Sequence, residues 1–277
     1  VSLEAEFPSP TAMVDGGAGT VSLRLGSGPL RLAFSGTGGP FAAARFEGTG
    51  DVDLVDAGRF ARWTGRPRTP DLLAGRLRLD GRLTVDRDGA TMPAARLELA
   101  GNKGEGALTL RWSGERPRLG GTLAFADLDL TGERRRPLGI GWRALPLDQG
   151  THGLDLDLRL SVPAVRLPGA ALTRVAAALH VADRRLHAEI GNAEYLGKPL
   201  ALVIRGTFER DGLRAQIRGN ADDLPLAELA DLAEIPGIET GRLSAAIEAE
   251  TRCRLVGDCA AGLGGRVTLD ARALTVT

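Results

Sequence analysis

The chain is short of the residues that mark most functional classes. Aromatics make up 4% of it, with a single Tyr and three Trp. That scarcity argues against the stacking platforms of a polysaccharide-acting β-solenoid enzyme. It argues equally against an outer-membrane barrel, which wants aromatic girdles at both interfaces. The two cysteines, Cys253 and Cys259, are too few for a zinc site without histidines nearby, and the nearest of the three histidines is His187. They are left as two buried thiols or one local disulfide. Net charge is missing too: 35 basic residues balance 35 acidic ones and are well mixed, so no basic face for nucleic acid is expected. The densest basic run, Arg134-Arg135-Arg136, reads as a solvated loop before Pro137. No apolar run reaches the ~18 residues of a spanning helix. No signal peptide is visible, and a sequence that opens at Val1 reads as a portion of something longer.

What is present is glycine, proline and alternation. The 38 glycines and 15 prolines are spread between apolar runs, as turns are in a many-stranded protein. Hydrophobic content of 43% and charged content of 25% are those of a folded chain. Thr20 to Leu25 and Leu30 to Ser35 form a hairpin pattern around Gly26-Ser27-Gly28-Pro29. The cleanest alternation sets Leu154, Leu156, Leu158 and Leu160 against Asp155, Asp157, Arg159 and Ser161. Successive strand side chains point to opposite faces, so one face there is aliphatic and the other charged. About 15 strands of this kind are expected, with connections short enough to make neighbours antiparallel. Long crossover helices are missing from the pattern, which excludes a parallel α/β sheet.

Two stretches interrupt the strands in the same order. After Asp222, the leucines of Leu224 to Leu232 stand at helical spacing, Pro236-Gly237 breaks the pattern, and Gly241-Arg242-Leu243 opens a strand. Earlier, Val55, Phe60 and Trp63 share a helical face, Pro67 and Pro70 break it, and Gly75-Arg76-Leu77 opens a strand. Short helices are therefore expected near 55–64 and 224–234. The chain divides into halves at 1–131 and 132–277, joined by the aperiodic 132–151 segment.

No chemistry emerges. His180 and His187 could face each other across a turn at 183–185, yet two histidines without a third ligand make a weak metal site. Asp127 with Asp129 and Asp155 with Asp157 stand at i, i+2 beside leucines, which puts them on a solvated strand face. Asp15-Gly16-Gly17-Ala18-Gly19 lacks the Lys-Ser/Thr and the following helix of a phosphate loop. No enzyme and no cofactor are expected. What remains is the aliphatic face: Leu154, Leu156, Leu158 and Leu160, with Leu77, Leu79, Leu202, Ile204, Leu243 and Ile247 as continuations. A sandwich would bury such faces against each other, while a long sheet curled into a trough would keep them available to lipid.

The order of elements resembles the C-terminal region of the AsmA family of bacterial envelope proteins. The residues carrying the resemblance are Gly153-Leu154-Asp155-Leu156-Asp157-Leu158 and the short strands through Leu186. Gly219-Asn220-Ala221-Asp222-Asp223-Leu224-Pro225-Leu226, the Gly241-Arg242-Leu243 step and Gly264-Gly265-Arg266-Val267-Thr268-Leu269 continue it. In the first half Leu97-Glu98-Leu99-Ala100-Gly101-Asn102 and Pro117-Arg118-Leu119-Gly120-Gly121-Thr122-Leu123 are similar to the preceding repeat of such proteins.

The resemblance implies an all-β, elongated, mostly antiparallel sheet curled into a hydrophobic groove, held in the periplasm by an inner-membrane anchor upstream of this chain. It implies contact with phospholipid or another envelope lipid, and a role in lipid transport and outer-membrane homeostasis. The alternative is a structural or assembly scaffold for outer-membrane proteins, with a self-filled β core. An oxidising periplasm would also favour a local Cys253–Cys259 disulfide. The cysteine pair departs from the family pattern, where a Gly/Ser-rich loop is expected.

Overall fold

The computed structural model describes residues 1–8, 17–39, 45–55, 76–99, 101–131, 153–167, 170–232, 238–254, 258–259 and 261–276. They form one sheet and one helix. The first strands are β1 (Ser2–Glu6), β2 (Gly19–Gly26), β3 (Leu30–Gly38), β4 (Phe46–Leu54) and β5 (Leu77–Val85). Next come β6 (Gly89–Leu99), β7 (Asn102–Arg111), β8 (Arg118–Phe125) and the two-residue β9 (Leu128–Asp129). After the midpoint come β10 (Asp155–Leu167), β11 (Ala170–Ala182), β12 (Arg185–Tyr195), β13 (Lys198–Glu209) and β14 (Gly212–Pro225). The helix α1 (Leu226–Leu232), β15 (Ile238–Cys253) and β16 (Gly264–Val276) complete the chain.

The strands lie side by side in sequence order, β1 through β8 and then β10 through β16, with β9 beside β10. Tight turns set this order. Asp183 and Arg184, with φ of 49° and 62°, and Leu196 and Gly197, with φ of 51° and 70°, make two-residue connections whose twist suits a hairpin. Pairings are antiparallel, as expected, except at the midpoint, where β10 runs parallel to both β8 and β9. A parallel neighbour requires the chain to return to its starting end before the next strand begins.

A buried polar clasp fixes that reversal. Asn102, 2% exposed, accepts the Asp129 N–H on its Oδ1 at 2.8 Å and donates from Nδ2 to the Asp129 carbonyl at 3.5 Å. Asp129 Oδ1 then accepts from the Thr131 N–H and hydroxyl, and the Arg166 Nε lies 3.5 Å from its Oδ2. The main apolar cluster forms beside this clasp, from Leu123, Phe125, Val162, Val165, Val175 and Ala193.

The two halves of the chain contribute to one sheet, joined where β8 lies beside β10. Two expectations change. Among the described residues one short helix is present where two were expected in the chain: α1 falls within 224–234, while the 55–64 helix, Val55 apart, lies outside the described residues, and Val55 itself is an exposed bend. Asp129 and Asp155, expected on a solvated face, are 7% and 8% exposed, because the seam packs over the start of β10 and beside β9.

Candidate functional site

Residues directly opposite each other on neighbouring strands put their side chains on the same face. Followed across the sheet, one such row runs Ala5, Leu23, Phe34, Gly50, Gly81, Ala95, Gly106, Leu123, Leu160, Ala177, Ile190, Leu202, Gly219, Ile247, Val267. It takes one residue from every strand but β9, and each is apolar or glycine. At about 4.8 Å per strand it spans about 67 Å.

Parallel rows on the same face repeat the composition. One is Leu3, Leu25, Leu32, Val52, Leu79, Leu97, Gly104 and Phe125. On the other side run Leu108, Gly121, Leu158, Leu179, Ala188, Ile204, Ile217, Ala249 and Gly265. Beyond them Leu110, Leu119, Leu156, Val181, Leu186, Gly206 and Ala215 reach Thr251, the first polar member.

Of the ten residues singled out by sequence, nine fall into this face. Leu160, Leu202 and Ile247 belong to the longest row, Leu79 to the second, Leu158 and Ile204 to the third, and Leu156 to the fourth. Leu77 stands opposite Leu54 and Leu99, and Leu243 opposite Leu224 and Ala271. Leu154 immediately precedes β10 and takes no register. All ten are half-buried, neither sealed in a core nor fully exposed.

The opposite face is built of charge. A typical row reads Asp157, His180, His187, Arg205, Gln216, Glu250. His180 and His187 do face each other, and His187 Nε2 lies 3.6 Å from the Glu189 carboxylate; His152 lies outside the described residues. Arg78 reaches Asp51 at 3.3 Å and Arg96 reaches Asp80 at 2.5 Å across neighbouring strands, and Arg166 reaches Asp127, just before β9, at 2.9 Å. Such exposed pairs contribute about 0–1 kcal/mol each, so they set register and solubility more than stability.

Two carboxylates are held below the usual range. The bidentate hydrogen bond from Arg76 lowers Asp53, which is 5% exposed, against the opposing effect of desolvation. The hydrogen bond from Lys198 lowers Asp223 in the same way. Asp155 differs from both: its buried Oδ1 has no hydrogen-bond partner, and the Arg116 guanidinium is 3.9 Å away. Among the described residues no group of three or more His, Cys, Asp or Glu is placed to hold a metal ion.

A cavity of about 1210 Å³ opens on the charged face. Its walls are two polar rows. Arg24, Ala33, Asp51, Asp80, Arg96, Glu105, Ala124 and Ser161 make one; Ser22, Ser35, Thr49, Arg82, Ala107, Thr122 and Arg159 make the other. Of the ten predicted lining residues, Leu160 alone borders it, beneath its floor. Sequence reasoning missed this trough, because it depends on which charged side chains end up beside one another across strands that are far apart in the chain.

Helix α1 packs on β15 and β14 at the margin of the sheet. Its contact is made by Ala230, 3% exposed, and by half-buried Leu226 and Leu229, with Leu224 buried just before it. Cys253 and Cys259 are disulfide-bonded with their Cα atoms 4.8 Å apart, and Cys253 belongs to a second apolar cluster with Val181, Phe208, Leu213 and Ala215. No described helix is long and apolar enough to cross a membrane. Compared with known proteins, the chain matches no family model, no curated protein and no solved structure.

Proposed function

We propose that this chain is a non-enzymatic, lipid-contacting segment of a bacterial envelope protein, in which the face carrying the apolar rows forms the wall of a groove for acyl chains. The observation that carries the reading is the row from Ala5 to Val267, apolar or glycine at every strand it crosses. A sheet with one apolar face ordinarily buries it under a second layer. Here the described residues supply one seven-residue helix, at the margin. The predicted liners stay half-open to solvent.

Keeping a 16-carbon chain in water costs on the order of 12 kcal/mol at about 0.8 kcal/mol per methylene. A continuous aliphatic wall would remove most of that barrier along a path about twice the thickness of a bilayer core. The resemblance to the AsmA family supports a periplasmic site, tethered to the inner membrane, and a part in moving phospholipid between membranes. The disulfide suits an oxidising compartment. The reading rests on the rows and not on a cavity.

A second reading is favoured by the cluster at the seam, where Leu123, Phe125, Val162 and Val175 are buried by the chain's own side chains. On that reading the face is self-filled and the sheet is a scaffold for outer-membrane assembly. Native mass spectrometry of the purified chain separates them. Co-purified phospholipid in stoichiometric amount is expected for the groove; a lipid-free chain that also takes up none from vesicles would favour the scaffold.

A further inference from the structure

Around the trough of the first half, arginines are answered by carboxylates: Arg24 meets Glu4, Arg78 meets Asp51 and Arg96 meets Asp80. Its two unpaired arginines, Arg82 and Arg159, stand four strand spacings apart, about 19 Å. A second concave site on the charged face, about 840 Å³, lies over β11 to β14 and is built differently. Register sets two rows of side chains in its walls. His180, His187, Arg205 and Gln216 make one, and Arg185, Thr207 and Arg214 make the other. The rows stand two residues apart along the strands, so the cluster fits within about 14 Å by 7 Å.

Most of its donors are unused. Among the described residues the side chains of His180, Arg185, Arg205 and Thr207 have no hydrogen-bond or ion-pair partner. The nearby carboxylates are engaged or stand aside. Glu209 is held by Arg214 at 3.1 Å and by Arg252, and Glu250 accepts from Gln216 at 2.9 Å. Asp157 stands opposite His180 on β10, and Glu189 lies 3.6 Å from His187, both outside the walls. Asp183, in the β11–β12 turn, is the one acid among the described residues that borders the site.

A guanidinium is a permanently charged fork of N–H donors matched to phosphate oxygens. A neutral imidazole and a threonine hydroxyl each add one donor. Arg185 stands across the ladder from Thr207, and Arg205 lies two residues before it on the same face. One tetrahedral anion can therefore take both guanidinium groups and the hydroxyl between them. We infer that this cluster binds a phosphate group, carried by a soluble phosphate ester or by the headgroup of a lipid in a membrane that the charged face meets. The site lies on the face opposite the apolar rows, so it goes beyond the acyl-groove reading and stands or falls without it.

The test uses the full chain with its disulfide intact. Calorimetric titration with pyrophosphate is expected to show one site per chain. Arg185→Gln and Arg205→Gln should each weaken it about tenfold, and Thr207→Ala about threefold. These side chains are exposed, and unchanged melting temperatures will show that the variants fold. Arg218→Gln, on the same face but paired with Glu248 at 3.7 Å, is the control and should leave the affinity unchanged. Flotation with vesicles of phosphatidic acid in phosphatidylcholine, against phosphatidylcholine alone, separates the sources. Pyrophosphate binding without flotation assigns a soluble ester, and flotation that Arg205→Gln abolishes assigns a headgroup. Neither binding nor flotation, or an equal loss in Arg218→Gln, overturns the inference.

Discussion

The half of the sheet before the seam and the half after it follow the same alternation but finish their shared face differently. In β3 to β8 the apolar rows, with the short row Val21, Gly36, Gly48 and Leu83 beside the longest one, contain Gly36, Gly48, Gly50, Gly81, Gly104, Gly106 and Gly121. In β11 to β15 those rows contain Gly206 and Gly219, and the other positions are mostly Leu, Ile, Val and Ala. Five of these early glycines are demanded by backbone, while Gly50 and Gly104 face the side chains of Leu83 and Phe125. A Cβ on Gly36 would lie 2.6 Å from the Gly48 Cα, and one on Gly106 would overlap the Thr122 carbonyl oxygen. Gly219 is looser, its nearest neighbours being the Leu202 Cδ1 at 3.1 Å and the Ala201 carbonyl and Ile247 Cγ2 at 3.2 Å. The early strands are also shorter, 8 to 11 residues from β2 to β8 against 11 to 16 from β10 to β16. One two-faced sheet can therefore be thinned by close strand approach in one half and coated with branched side chains in the other. Acyl contact is expected to be strongest after the seam.

The largest effect should come from breaking the early half. Gly106→Val forces a side chain into the β8 backbone and should cost about 3 kcal/mol or more, whereas Gly219→Ala should cost about 1 kcal/mol. Denaturant unfolding of both variants measures the gap; equal losses would mean the two halves are packed alike.

The seam comes next. Asn102→Ala strands the Asp129 backbone groups in a buried site and should cost about 2–3 kcal/mol. Hydrogen exchange should show opening at β9 and β10 before the outer strands; uniform opening would remove the clasp from the account.

In the second half, Cys253→Ser with Cys259→Ser should lower stability by about 2 kcal/mol, the small value reflecting a short closed loop. Calorimetry with and without reductant checks it, and an unchanged melting temperature in both would deny the bond a structural part.

The smallest effect is the pH dependence that Asp53 carries in the first half. Asp53 is depressed in the folded state by Arg76, so the pair's contribution is present above the unfolded carboxylate pKa of about 3.9 and is lost as pH falls through the lower folded value. Asp53→Asn should flatten the acid limb of the stability profile below about pH 4. Profiles of identical slope would show that the pair does not couple to folding.

Much of this was legible in the sequence, and unevenly so. The second half announced itself because Leu154 to Leu160 alternate without a glycine, and eight of the ten predicted liners lie after the seam. The first half was harder to read, since Gly50, Gly81 and Gly106 hold row positions with no side chain to reveal the period. Strand β1 was missed, being five residues at an edge with nothing buried. The parallel seam was missed because Asn102 and Asp129 are 27 residues apart and their contact leaves no local pattern. Asp155 and Asp129 were misplaced for a related reason: alternation gives the face of a residue, while the neighbouring elements decide whether that face is wet. The charged trough needed the register of eight strands at once.

The central claim is that the two faces of one strand meet different solvents. Leu202 lies in the longest apolar row, and Val203 lies next to it in the chain on the opposite face, between Glu189 and Arg218. The most direct measurement places a photo-crosslinking side chain at each position in turn, with the protein bound to phospholipid vesicles, and weighs the lipid adducts. The account predicts a phospholipid adduct from position 202 and little or none from 203. Equal labelling from both, or none from 202 in a folded protein, would contradict it.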